Sequence, residues 1–306
     1  MQPEKKDIPP GQAPDMIAEK LRLQETADAD AVQIRFEREK RAEQLGRESN
    51  LEGSLAPFRV GSVPYLNGAP LTRGIEEQII FEPPSRLAEL LRANALDAGL
   101  VSAAEVLLTD RYDVLDGIAI ASLGEVQSVL LAHRIPLEQI TTVHCDTASI
   151  TSVNLLRVLF KERGQDPAFV PLESYGEAPN KDAVLLIGDQ AIEFSRQNHP
   201  HSLWDLGTAW YELTNLPFVY AVWALRRGID NRRLRQLLRE ARDFGMDTLD
   251  SIIADRPEFD YAFRKDYLGW HIHFHLGADE RRGLKKFGEL LEKHTGKTVY
   301  PVRLVS

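Results

Sequence analysis

The sequence predicts an α/β fold, and three observations carry that expectation. Short apolar runs bounded by turn residues, DAGLVSA (97–103), SVLLAH (128–133), AVLLIGD (183–189) and FVYAVWAL (218–225), have the length and composition of buried strands. Between them lie segments such as SRLAELLRANAL (85–96) and SVNLLRVLFKERG (152–164), with apolar residues at three- and four-residue spacing, the period of a helix. The chain has 306 residues, enough for two domains with sizeable cores. Strand alternating with helix over that length is the signature of α/β architecture.

Taken in order, residues 1–57 stand apart as a charged extension. A Pro-rich opening leads into Met16 to Gln44, dense in Glu, Lys, Arg and Ala, which reads as a solvated helix or two and alternatively as an interaction arm. The texture changes at Phe58, where PFRVGSVPYLNGAPL reads as a short buried strand ending in a turn, with a helix starting near Thr72. From Asn231 onward, NRRLRQLLREARDFGMDTLDSII and ERRGLKKFGELLEKHTG make the last third mostly helical.

Composition narrows the function classes. Apolar residues are 43% and charged residues 27%, the proportions of a folded, water-soluble protein. A net charge of −9 argues against a general nucleic-acid-binding surface. No run of 18 apolar residues occurs, so no membrane insertion is expected. One cysteine, Cys145, rules out an intramolecular disulfide, and the opening lacks the apolar stretch of a secretory leader; a cytoplasmic location is expected. G-x-G-x-x-G, P-loop, G-x-S-x-G and H-E-x-x-H patterns are all missing, so the usual nucleotide, hydrolase and zinc-protease readings have no anchor.

Four segments could carry chemistry. In HCDTASITSVNLLRVLF (144–160) a strand end runs into Asp146, Thr147, Ser149, Thr151 and Ser152 and then into an amphipathic helix. Hydroxyl residues there cap a helix, and the same helix end can bind an anion through its N–H groups without Lys or Arg. The turn from Ser62 to Gly68 lies beyond a strand end, where α/β folds place ligands, although Asn and Gly also serve in plain turns. His271, His273 and His275 would share one face of a strand if this stretch were extended, and otherwise read as exposed or helix-associated histidines. No carboxylate or Cys stands at an obvious ligand spacing, so the expectation is that no metal binds. Asp189 ends a strand, close to a cleft or simply at the start of the next helix.

Seven segments in order, VGSVPYLNGAPL, DAGLVSAAE, SLGEVQSVLLAH, DTASITSVNLLRVL, AVLLIGDQAI, DLGTAWYELTNLPFVYAVWALR and YLGWHIHFHLGADERRGLKKF, resemble the MqnA-type chorismate dehydratases of menaquinone biosynthesis. The resemblance runs from about Arg59 to about Phe287 and leaves out the N-terminal extension. It implies a two-lobed fold like that of type 2 periplasmic binding proteins, with a ligand cleft between lobes: residues 58–125 with 221–306 in one, 126–220 in the other. It also implies a lyase of the futalosine route, eliminating water from chorismate to give 3-[(1-carboxyvinyl)oxy]benzoate with no cofactor, as a monomer or homodimer. A non-catalytic small-carboxylate-binding protein of the same fold is the alternative. The family's catalytic Asn falls on Asn67 of Tyr65-Leu66-Asn67, and motif matching makes Ser102, Ser128, Ser149, Thr151, Ser152 and Asp189 substrate contacts.

Overall fold

The computed structural model describes residues 55–146 and 148–306; the N-terminal extension up to Ser54, and Thr147, lie outside the described residues. The strands are β1 (Val60–Ser62), β2 (Ile79–Phe81), β3 (Ala98–Ser102), β4 (Tyr112–Ser122), β5 (Val129–His133), β6 (Thr142–Cys145), β7 (Ala168–Pro171), β8 (Ala183–Ile187), β9 (Ser202–Asp205), β10 (Phe218–Arg226) and β11 (Leu304–Val305). The helices are α1 (Pro84–Arg92), α2 (Ala103–Leu108), α3 (Ile150–Glu162), α4 (Gly188–Arg196), α5 (Leu206–Thr214), α6 (Arg232–Asp247), α7 (Leu249–Asp255), α8 (Tyr261–Asp266) and α9 (Ala278–Thr295). Among the described residues no helix is long and apolar enough to cross a membrane.

Two mixed sheets form two lobes. One has the order β11-β4-β10-β3-β1-β2 and the other β7-β6-β8-β5-β9. The apolar runs read from sequence are β3, β5, β8 and β10; every residue of β3 and of β8 is buried. Such continuous burial is what strands covered on both faces require. The eleven-residue β4 escapes that reading because Asp113, Asp116 and Gly117 interrupt its apolar character, and Gly117 takes a left-handed φ of 83°. Its pairing with β10 shifts register twice, between Val219 and Ala221 and between Val222 and Ala224.

The chain crosses between sheets twice, after β4 and before β10. At the first crossing the Asp205 carboxylate accepts the N–H groups of Val126 (3.1 Å) and Gln127 (2.8 Å), and that of Thr208 (2.9 Å) at the start of α5. Three backbone donors converging on one carboxylate hold Gln127 at a φ of 61°, a strained value for a side-chain-bearing residue. His271 reinforces the crossing, with a ring nitrogen 3.1 Å from the Glu125 carbonyl and the other 2.9 Å from Gln127.

The stretch through His271, His273 and His275 is extended only in part. A π-helical turn covers Tyr267–His271, so His271 is buried at its end while His273 and His275 follow in extended chain. Likewise the helix expected near Thr72 is a 3₁₀ turn over Leu66–Leu71, because Pro70 and Gly68 favour a short, tight element. That turn packs on α6, whose buried face is Leu234, Leu237, Leu238, Ala241 and Gly245. A Cβ on Gly245 would lie 1.8 Å from the Pro70 carbonyl oxygen. Gly245→Ala is therefore expected to lower stability by about 1–3 kcal/mol, read as a reduced urea midpoint at unchanged m-value.

Candidate active site

The lobes close on a cleft with about 520 Å³ of empty space, its open mouth included. Lobe one contributes Asn67 from the 3₁₀ turn, Ser102 from the end of β3, and Tyr220 from β10. Lobe two contributes Ser128, Gly188, and both Ser149 and Ser152 from the start of α3. Val63, Leu100, Ile120, Val126, Val129 and Ile187 supply an apolar lining. No Asp, Glu, His, Lys, Arg or Cys side chain lines the cleft among the described residues.

Of the positions singled out from sequence, Asn67, Ser102, Ser128, Ser149 and Ser152 meet in this cleft. Thr151 and Asp189 do not line it, and each bridges the lobes instead. The buried Thr151 Oγ1 accepts the Ala104 N–H at 2.7 Å, capping the first turn of α2 across the lobe boundary. Asp189 Oδ1 accepts the Leu66 N–H at 3.3 Å, steadying the residue before Asn67. The Ser85 N–H adds a third bridge to the Ala148 carbonyl, 3.1 Å away.

Hydrogen-bond directions decide what the cleft offers a ligand. Ser149 caps α3: its Oγ accepts the Ser152 N–H at 3.3 Å and the Ser152 hydroxyl at 3.2 Å. An oxygen that already accepts twice turns its own proton outward, so the helix end presents a hydroxyl donor where the dipole favours negative charge. Tyr267, fully buried and not foreseen from sequence, donates its hydroxyl to Ser128 Oγ at 2.8 Å. It accepts the Asn67 Nδ2–H at 3.1 Å. Because the phenol has one proton and Ser128 takes it, Asn67 turns its nitrogen to Tyr267, and its Oδ1 is left buried without a partner. An unpaired buried carbonyl costs free energy that a ligand donor can recover.

The cleft tyrosines stay neutral. Burial, and then the charges of Asp146 and Asp189, push Tyr65 up to about 12. Its ring lies against Gly188, where an added Cβ would come within 3.2 Å of it and where φ is 58°, so only glycine fits. Asp146, beside the start of α3, is turned away from the cleft: its carboxylate accepts the Ala148 N–H at 2.8 Å and the Tyr175 hydroxyl. Taken together, the arrangement can hold an anion with neutral donors, exclude water behind apolar walls and present one amide oxygen.

A family model described as "Menaquinone biosynthesis" matches residues 58–293. The chain belongs to this family. It is 34% identical over 271 residues to the chorismate dehydratase of Thermus thermophilus, which spans 81% of this chain and 100% of that relative. Among solved structures it is similar to a protein from Archaeoglobus fulgidus, with TM-score 0.63, 18% identity, and 78% and 97% of the two chains covered. It is also similar to the alkanesulfonate-binding protein SsuA of Xanthomonas axonopodis pv. citri bound to MOPS, with TM-score 0.57, 13% identity, and 80% and 94% covered. At those identities the structures show the fold, the two-lobed architecture of periplasmic binding proteins, and this menaquinone-biosynthesis family member shares it.

Asp189 makes the stability of the folded chain depend on pH. Burial pushes its carboxyl up to about 6, against the opposing pull of the Leu66 N–H. The native chain thus binds this proton more tightly than the unfolded chain, whose carboxylate titrates near 4, so its contribution is complete below about pH 4 and lost as pH rises through about 6. Relative to wild type, Asp189→Asn is expected to gain up to about 3 kcal/mol between pH 4 and pH 7. Denaturant midpoints across that range measure it, and a pH-independent difference would contradict the assignment.

Proposed function

We propose that this chain eliminates water from chorismate to give 3-[(1-carboxyvinyl)oxy]benzoate, the reaction that names its Thermus relative. The observation that carries the reading is a cleft of neutral donors with, among the described residues, no ionisable side chain fitted for acid–base work near neutral pH. Chorismate brings its own base. The C–H bond on the ring carbon that bears the ether oxygen breaks, and the proton passes to the substrate's side-chain carboxylate. The electron pair delocalises toward the ring carboxylate and then expels the neighbouring hydroxyl, which takes that same proton from the side-chain carboxyl group and leaves as water, so that the carboxylate is regenerated. Aromatisation drives the second half.

In this reading the ring carboxylate rests at the α3 end against Ser149 and Ser152, where negative charge grows as the proton departs. Fixed donors aimed at developing charge are worth more there than in water. Ser128 and Ser102 supply further hydroxyls. Asn67 Oδ1 accepts a hydrogen bond from the substrate's ring hydroxyl and so orients it before the carbon–oxygen bond breaks; a neutral amide is too weak a base for the proton abstraction. Tyr267 in turn sets the amide's orientation.

Purified protein incubated with chorismate is expected to yield an aromatic product one water lighter, detected by mass spectrometry. Chorismate bound but unchanged would favour the small-carboxylate receptor instead. Asn67→Ala is expected to lower kcat by about 10- to 1000-fold while substrate still binds. Ser152→Ala is expected to raise KM and to lower kcat as well, because its hydroxyl holds Ser149 where the negative charge grows. Tyr267→Phe removes only a hydroxyl, and a fall of about tenfold or more in kcat with KM little changed marks orientation of Asn67; an unchanged kcat would remove Tyr267 from the site.

A further inference from the structure

Outside the cleft, the fold gathers two imidazoles and a buried carboxylate that the reaction does not use. Gly277 is the N-cap of α9, and Glu280 in its first turn reaches back so that its Oε2 accepts the Gly277 N–H at 2.9 Å. That fold-back carries the other oxygen, Oε1, to 3.2 Å from His275 Nε2 and 3.9 Å from His273 Nδ1. The two imidazoles stand on the same side of the extended segment, nearly parallel at 16° with centroids 5.4 Å apart. All three ligating atoms lie within 4.8 Å of one another. Sequence spacing hid this cluster, because Glu280 reaches the histidines only through the reversal at Gly277.

We propose that His273, His275 and Glu280 form a binding site for a borderline divalent transition ion of the zinc class. Two imidazoles and one carboxylate are a donor set suited to zinc, and poorly suited to magnesium or calcium, which take oxygen ligands. Tetrahedral bonds of about 2.1 Å place ligand atoms about 3.4 Å apart, so the two measured contacts of Glu280 already bracket the required spacing. The remaining adjustment falls on the two imidazoles, His273 moving in from 3.9 Å and His275, 55% exposed, turning with it, while Glu280 is 6% exposed and fixed by its cap. The Gly277 N–H orients the carboxylate from behind, as an outer-shell partner does. Solvent reaches the cluster past His275, leaving the fourth position to water. Arg242, the cation whose charge acts on His275, is engaged with Asp243 at 2.8 Å.

The site would act as a staple. His273 exchanges two backbone hydrogen bonds with Ala121 of β4, at 2.7 and 3.0 Å. An ion shared with Glu280 would therefore lock the first turn of α9 to the strand that leads into the lobe crossing. The position is independent of the chemistry proposed above, since none of the three side chains lines the cleft.

The full chain, stripped with chelator and dialysed, is titrated with zinc by calorimetry, and with cobalt(II) by visible absorption. One equivalent of zinc binding at micromolar Kd is expected, with the intense visible bands of four-coordinate cobalt and a Tm rise of about 5 °C at a hundredfold excess over Kd. His275→Ala and Glu280→Gln are each expected to weaken zinc at least tenfold and to abolish those bands, while His199→Ala, in a separate histidine pair, leaves both intact. Glutamine can still cap α9, and His275 is exposed, so both variants retain the fold. Zinc binding weaker than about 100 μM, or binding lost only in His199→Ala, overturns the proposal. A Tm loss in His275→Ala that is the same with zinc and with chelator overturns it too, by reducing the cluster to a hydrogen-bonded clasp.

Discussion

One buried phenol proton sets the polarity of the cleft. Tyr267 is enclosed on a π-helical turn and reaches both the Asn67 amide of lobe one and the Ser128 hydroxyl at the start of lobe two. Giving its proton to Ser128 forces it to accept from Asn67, and that choice decides which end of the amide is left without a partner. Burial and the nearby Asp189 and Asp205 charges hold the phenol far above its ordinary titration range, so the direction persists across physiological pH. A single-residue insertion of π geometry inside a helix re-aims whatever follows it, which is why such turns recur at functional sites. Here it brings His271 onto the lobe crossing in the same stroke.

The cleft answers an electrostatic difficulty without countercharges. A chain of net charge −9 that is to bind a dicarboxylate must overcome a repulsive field, yet no Arg or Lys lines its cleft among the described residues. The compensation comes from oriented dipoles: the N-terminus of α3, the outward hydroxyl of Ser149, and the hydroxyls of Ser102 and Ser128. Dipoles fixed by folding need not reorganise as charge moves through the substrate. A guanidinium would hold the ground state equally tightly, and tight ground-state binding does not speed the chemical step.

Much of this was legible in the chain. The runs that became β3, β5, β8 and β10 announce themselves because strands buried on both faces carry uninterrupted apolar residues. The serines at the head of α3 are readable because a helix start has a fixed need for acceptors. Thr151 and Asp189 show the limit of such reading. A hydroxyl and a carboxylate at helix starts are equally able to satisfy a ligand or a backbone N–H from the facing lobe, and only the tertiary approach of Ala104 and Leu66 decides between them. Tyr267 was invisible for a different reason. In YLGWH it is one aromatic among apolar neighbours, indistinguishable from a core residue until the π turn places its hydroxyl, and Glu280 joins His273 and His275 only through the cap at Gly277.

The position of β10 has a consequence for how the protein is made. It lies between β3 and β4, hydrogen-bonded to both, yet it emerges from the ribosome only after the whole of the second sheet, β5 to β9. Until then β3 and β4 have no partner along their facing edges, whereas the second sheet is complete as soon as Asp205 has been added. The segment that is later in sequence can therefore finish first, and the earlier one must wait for the return of the chain with one edge of β3 and both edges of β4 open. Exposed edges of that kind invite pairing with other chains, so the first sheet is most open to mispairing before the β10 segment is in place.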